Sequence, residues 1–341
     1  MKAPLAALLL ISLTGPALAN DPIGFQTTTI PDTHNIRPLE MAVWYPSTST
    51  AQPKLIADNL VFIGVLAVPD AAPTPGKHPV VVLSHGYGGN WGKQAWLASA
   101  LARQGYIVAA VNHPGTTSQD RSAQAAAQLW QRPKDLSRAI DALLAQATPF
   151  GAADSGRIAV IGHSLGGWTV MESAGARFDP ALFARDCDAH PTLVACKAYR
   201  EMNPEGTPSG KAQVAADLSD KRVTAVVSLD LGLSRGFTDA SLAALPVPAL
   251  VIAAGVPSAD LPAQMESADM AKRLPKASTQ YVQISDANHF SFMLQCKPGA
   301  AAVLDADVPG DSIICQDGEG ARSRPLIQQQ ITTLITQFLA R

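Results

Sequence analysis

The stretch VIGHSLGGWTV, residues 160–170, sets a serine hydroxyl among small residues on a tight corner. Gly162 and Gly166 flank Ser164 two positions away on either side, giving G-x-S-x-G between an apolar run and what reads as a helix. A corner of this kind holds its central residue in a strained backbone conformation and lifts the side chain clear of the preceding strand. It also aims the N-terminus of the following helix at the hydroxyl, so the amide of Leu165 can stabilise negative charge developing there. The chemistry this predicts is nucleophilic attack on a carbonyl carbon.

A serine hydroxyl attacks only if a base takes its proton, and the base needs a carboxylate to fix its tautomer. For a serine on such a corner the chain order runs serine, acid, histidine. His289, in ISDANHFSF, follows the last strand-like run and is the expected base. Of the other histidines, His34, His78 and His190 lie early or in an irregular segment, and His85, His113 and His163 adjoin strand ends, where they read as structural. Two aspartates compete as the acid. Asp230 ends VTAVVSLD and Asp260 follows VIAAG after a short turn, and strand position alone leaves both open. Asp286 is too close to His289 in sequence to reach the far side of its ring. LSHGYGGN supplies a further part: His85-Gly86 turns the chain so that the amide of Tyr87 can serve as a second oxyanion donor beside that of Leu165.

The elements that must position these groups alternate along the chain. HPVVVLSHG is a continuous β-branched run, bounded by Pro79 and Gly86, and reads as a strand buried on both faces. RPLEMAVWYPS before it alternates. After it come a helix over NWGKQAWLASALARQG and the strand YIVAAVNHPG, a β-α-β unit. The rhythm continues through a helix over PKDLSRAIDALLAQA, the strand RIAVIG, a helix from Leu165, and the strands VTAVVSLD and PALVIAAG. A helix near AQMESADMAKRL and the strand TQYVQIS follow. The expected fold is α/β, a doubly wound, mostly parallel sheet in a single domain over 20–341, closed by an amphipathic C-terminal helix carrying Ile327, Ile331, Leu334, Ile335 and Phe338 on one face. Residues 178–221 and 296–323 break the alternation, and insertions of this length build lids and binding walls at the loop end of a sheet.

A formal charge of −2 with 16% charged residues leaves no basic stripe for nucleic acid or anionic membrane, so a small or neutral ligand is the expected partner. The opening MKAPLAALLLISLTGPALAN has one lysine, an apolar run too short to span a bilayer, and an Ala17-Leu18-Ala19 cleavage pattern. We read residues 1–19 as a signal peptide and the mature chain as secreted or periplasmic, without integral membrane association. An oxidising compartment permits disulfides, and of three connectivities the local one, Cys187–Cys196 and Cys296–Cys315, is favoured. Neither pair has zinc or redox spacing, so no metal is expected, and the chemistry above calls for no cofactor.

The stretches MAVWYPS, HPVVVLSHGYGGN, GYIVAAVNHPG, GHSLGGWTV, VVSLDLGL and ANHFSFMLQC together resemble the α/β-hydrolases. The resemblance is nearest to secreted bacterial relatives of platelet-activating-factor acetylhydrolase, a group also labelled predicted dienelactone hydrolases, and covers nearly all the mature chain. It implies an α/β-hydrolase fold and a Ser-His-Asp triad. In that group the acid stands in a Leu-Asp ending, which maps onto Asp230 in preference to Asp260. Dienelactone hydrolases look to a cysteine nucleophile, whereas position 164 is serine. HGYGG is also similar to the corresponding stretch of secreted polyester hydrolases. The expected activity is hydrolysis of small-molecule or lipid carboxylic esters through an acyl-enzyme. The alternatives are a polyester hydrolase, a peptidase or amidase using the same triad, or a binding protein that has the fold without catalysis.

Overall fold

The structure is a computed structural model that describes residues 22–32, 37–146 and 148–341. The proposed signal peptide, residues 1–19, lies outside the described residues. Among the described residues ten strands form one sheet. In chain order they are β1 (Ile23–Ile30), β2 (Leu39–Pro46), β3 (Lys54–Ile56), β4 (Val65–Pro69), β5 (Lys77–Ser84), β6 (Ile107–Val111), β7 (Ala152–His163), β8 (Ala225–Leu229), β9 (Ala249–Ala254) and β10 (Thr279–Ile284). Their order across the sheet is β10-β9-β8-β7-β5-β6-β2-β1-β4-β3. From β10 to β6 every neighbouring pair is parallel, as strands joined by helical crossovers must be.

Both faces of the parallel region are covered. Along β5, Val80 and Val82 pack with Trp168, Leu136 and Ile140 on one side. Val81 and Leu83 pack with Leu97, Leu101, Ile331 and Ile335 on the other. The period of two in a run of β-branched residues buries every side chain, because consecutive residues point to opposite faces and each face meets helices. The C-terminal helix Arg324–Leu339 buries Ile327, Ile331, Ile335 and Phe338, while Leu334 is only partly covered. Among the described residues no helix is long and apolar enough to cross a membrane.

Three findings differ from the sequence reading. β2 is buried at six of its eight positions, all but the exposed Glu40 and the half-buried Pro46, rather than on alternate faces, because it lies between β1 and β6 in the sheet interior. The helix expected to open at Pro133 begins at Gln131. The strands β1, β3 and β4, absent from that reading, extend the sheet beyond β2.

Residues 178–221 form three short helices, Pro180–Ala189, Val194–Met202 and Pro208–Val214. They are not surface decoration: Phe178, Phe183, Tyr199 and Met202 are buried, and the rings of Phe178 and Phe183 lie 5.3 Å apart. Residues 296–323 hold the helix Ala300–Asp307 and a 3-10 turn, Asp311–Cys315. Disulfides join Cys187 to Cys196 and Cys296 to Cys315.

Candidate active site

Ser164 stands between β7 and the helix Leu165–Ala174 with φ 57° and ψ −121°, a left-handed backbone that side-chain-bearing residues avoid. Its amide donates to the Leu229 carbonyl on β8 (3.0 Å), which ties the corner to the neighbouring strand. The corner closes only with glycine beside it. A Cβ at Gly162 would lie 2.0 Å from the Gly166 carbonyl oxygen, and one at Gly166 would lie 1.9 Å from the Ser84 carbonyl oxygen. Gly166 therefore lets the helix Leu165–Ala174 touch the end of β5.

Asp230 directly follows β8 and has a positive φ, 44°. Its amide donates to the Ile252 carbonyl (2.7 Å), and its Oδ1 accepts from the Ala254 amide (2.8 Å), so β9 holds both its backbone and its carboxylate. The other oxygen, Oδ2, lies 2.6 Å from His289 Nδ1. Asp230 is 4% exposed, a buried carboxylate with a partner on each oxygen, as burial of charge requires.

His289 opens a 3-10 turn, His289–Phe292, capped by Asn288, whose side chain accepts from the amides of Phe290 (2.8 Å) and Ser291 (3.1 Å). His163, next to the serine, reaches the same turn. Its Nε2 donates to the His289 carbonyl (2.8 Å), and the two rings lie 4.6 Å apart. Burial holds His163 well below the usual histidine range, so it stays neutral and serves as a strut. Among the described residues no hydrogen bond closes the Ser164 hydroxyl onto His289; such bonds are often long before substrate arrives.

The turn after β5 completes the site. Gly86 packs on the serine: a Cβ there would lie 3.0 Å from Ser164 Cβ and 3.4 Å from its Oγ. Tyr87 is half-buried, and its hydroxyl hydrogen-bonds Glu201 in the 178–221 insertion. Burial and the Glu201 carboxylate push the Tyr87 phenol up to about 12. The insertion thus meets the turn that carries the expected oxyanion donor.

Of the two aspartates left open by strand position, only Asp230 meets the histidine. Asp260 is exposed, and its backbone carbonyl accepts from the Val194 amide (2.9 Å). It lies on the turn after β9, and the Nδ1 side of His289 is taken by the Asp230 carboxylate.

Sequence reasoning missed a buried polar group beneath the site. Arg132 is 1% exposed and donates to the His85 carbonyl, to Ser84 Oγ (3.3 Å), to Thr116 Oγ1 (2.5 Å) and to Thr169 Oγ1 (2.9 Å). It joins the end of β5 to the nucleophile helix, and burial pulls its guanidinium down to about 9. His113 Nε2 meets Ser84 Oγ (2.9 Å), and its Nδ1 meets Asp135 (3.0 Å), which Arg37 also binds. The partners of Arg132 are 16 to 48 residues away, so no local spacing betrays it.

Residues 81–303 match the sequence model described as the alpha/beta hydrolase family. The chain is 29% identical over 179 residues to a bis(hydroxyethyl) terephthalate hydrolase of Streptomyces coelicolor, covering 50% of this chain and 51% of that protein. It is 32% identical over 101 residues to a cutinase of Thermobifida alba, covering 29% and 31%. To the platelet-activating factor acetylhydrolase of Cavia porcellus it is 28% identical over 163 residues, covering 33% and 37%. The chain therefore spans about half or less of the length of these relatives. A solved ferulic acid esterase from Streptomyces cinnamoneus shares the fold with a TM-score of 0.64 at 21% identity, over 96% of this chain and 91% of that one.

Proposed function

Because the chain belongs to the alpha/beta hydrolase family, we propose that it is a serine carboxylic-ester hydrolase acting through Ser164, His289 and Asp230. The observation that carries this reading is the 2.6 Å contact between Asp230 Oδ2 and His289 Nδ1, set at the strand ends that also hold the strained Ser164. Asp230 keeps the proton on Nδ1, which leaves Nε2 free to take the serine proton. Ser164 Oγ attacks the ester carbonyl, and the amides of Tyr87 and Leu165 receive the negative charge on its oxygen. His289 returns the proton to the departing alcohol, and water then releases the acid from the acyl-enzyme by the same steps. The alpha/beta hydrolase fold, the terephthalate ester hydrolase and the cutinase among its relatives support an ester as substrate, from small-molecule to polyester. We assign the activity to an exported protein whose leader is residues 1–19. Two disulfides support that compartment.

The test is turnover of a short p-nitrophenyl ester beside the matching anilide. Ser164→Ala should abolish ester hydrolysis with an unchanged circular dichroism spectrum, and a fluorophosphonate should label the wild type only. Ester turnover that survives in the variant refutes the assignment, and anilide hydrolysis at a comparable rate would make the protein an amidase.

A further inference from the structure

The amide of Tyr87 shares one planar peptide unit with the Gly86 carbonyl, and in a trans unit the N–H and C=O point in opposite directions. Whatever holds that carbonyl therefore aims the amide. Two donors hold it: the Gly89 amide at 3.0 Å and the ring of His85, whose Nδ1 lies 2.7 Å away. The ring has no freedom over which nitrogen carries the proton. His85 Nε2 accepts from the main-chain amide of His113 (3.0 Å), and a nitrogen that accepts cannot also donate. The proton must be on Nδ1, facing the Gly86 oxygen. Burial keeps this imidazole neutral, with its basicity well below the usual histidine range.

The next peptide unit back is fixed as well, since Arg132 donates to the His85 carbonyl. There is no slack around the ring: a Cβ on Gly89 would lie 3.0 Å from the Gly86 oxygen and 3.3 Å from His85 Nδ1. Among the described residues no protein acceptor takes the Tyr87 amide, so it is available to a substrate oxygen.

We infer that His85 is a positioning residue for hydrolysis: its Nδ1–H, fixed by the His113 amide on Nε2, grips the Gly86 carbonyl and so aims the Tyr87 amide at the developing oxyanion. The inference rests on the reading of Tyr87 as an oxyanion donor. It also makes His85 chemically distinct from His163, which props the base from the other side of the serine.

Two amides separate the roles of the ring nitrogens. The side-chain nitrogen of Asn falls where Nδ1 stands, and that of Gln where Nε2 stands, so His85→Asn keeps a donor for the Gly86 carbonyl and His85→Gln does not. His85→Leu removes both nitrogens. We expect Leu and Gln to lower kcat for a p-nitrophenyl ester by about ten- to a hundredfold with KM almost unchanged, the signature of a lost transition-state contact, and Asn to restore most of it.

A spectroscopic readout completes the test. Ser164 is acylated with a trans-cinnamoyl group labelled with carbon-13 at its carbonyl, and the infrared stretch is compared with that of a cinnamate ester in water. The wild type and His85→Asn should show a band shifted to lower frequency by the oxyanion donors, and His85→Leu and His85→Gln should lose much of that shift. Retention of both kcat and band shift in His85→Leu overturns the inference. So does an equal loss of kcat and melting temperature in all three variants, Asn included, since that is a packing role. A wild-type acyl-enzyme without any shifted band removes the oxyanion reading itself, a different failure from that of His85.

Discussion

Asp230 Oδ2 and His289 Nδ1 lie 2.6 Å apart although 59 residues separate them in the chain, and both oxygens of the aspartate are engaged, one by the ring and one by the Ala254 amide. The carboxylate is thus held by β9 as well as by the histidine. Asp230→Asn should leave that backbone bond in place but favour the wrong imidazole tautomer, lowering kcat about a thousandfold or more. Asp260→Asn, at an exposed position, should change kcat by less than about threefold. Steady-state kinetics on one ester decides the ranking, and the reverse order would transfer the role to Asp260.

Gly166 lies where a Cβ would be 1.9 Å from the Ser84 carbonyl oxygen. Gly166→Ala must push the nucleophile helix off the end of β5, costing about 2 kcal/mol or more of stability. It should also move Ser164 from Gly86, so ester turnover should collapse even in the fraction that folds. Urea midpoints and active-site titration with a fluorophosphonate measure the two effects separately.

Glu172 is fully buried on the helix Leu165–Ala174, and burial holds its carboxyl well above the usual range. The folded state therefore keeps a proton that the unfolded chain releases above about pH 4.5, so the folded state binds more protons and stability falls as pH rises. Replacement by an uncharged isostere removes this term. Glu172→Gln should match the wild type in acid and become relatively more stable as pH rises above that point, by up to about 1.4 kcal/mol per pH unit. Urea unfolding at pH 4, 5.5 and 7 checks it; a constant difference across the series would mean that the glutamate is ionised in the folded protein.

The contact between Tyr87 and Glu201 couples the 178–221 insertion to the turn beside the serine. If that insertion walls the substrate site, Glu201→Ala should alter the ratio of kcat/KM for butyrate over octanoate p-nitrophenyl esters by about fivefold or more. An unchanged ratio would confine the insertion to a structural role.

Much of this site is legible in the sequence because its demands are local. The nucleophile corner needs small residues at fixed distances from Ser164, and Gly162 and Gly166 announce it. The alternation of strands and helices is equally plain, since a parallel strand such as β5 carries an unbroken apolar run, Pro79 to Leu83. What is not legible depends on distance in space. Asp230 directly follows β8 and Asp260 the next strand, β9, after a short turn, and only the resemblance to a family favoured one before the fold was seen. Arg132 sits within an ordinary helical pattern, and its partners come from the end of β5, the turn after β6 and the nucleophile helix. The strands β1, β3 and β4 are side-by-side additions with no crossover helix to mark them.

With Asp230, after β8, bonded to His289, the corner after β9 makes no contact with the ring nitrogen that Asp230 holds. Residues 257–260 are exposed there, and the Asp260 carbonyl accepts from the Val194 amide of the insertion. Such a corner can gain or lose residues, or change sign, while proton transfer at the neighbouring strand goes on undisturbed. Because it leans on the insertion through the Val194 amide, drift in its length would be felt first by residues 178–221.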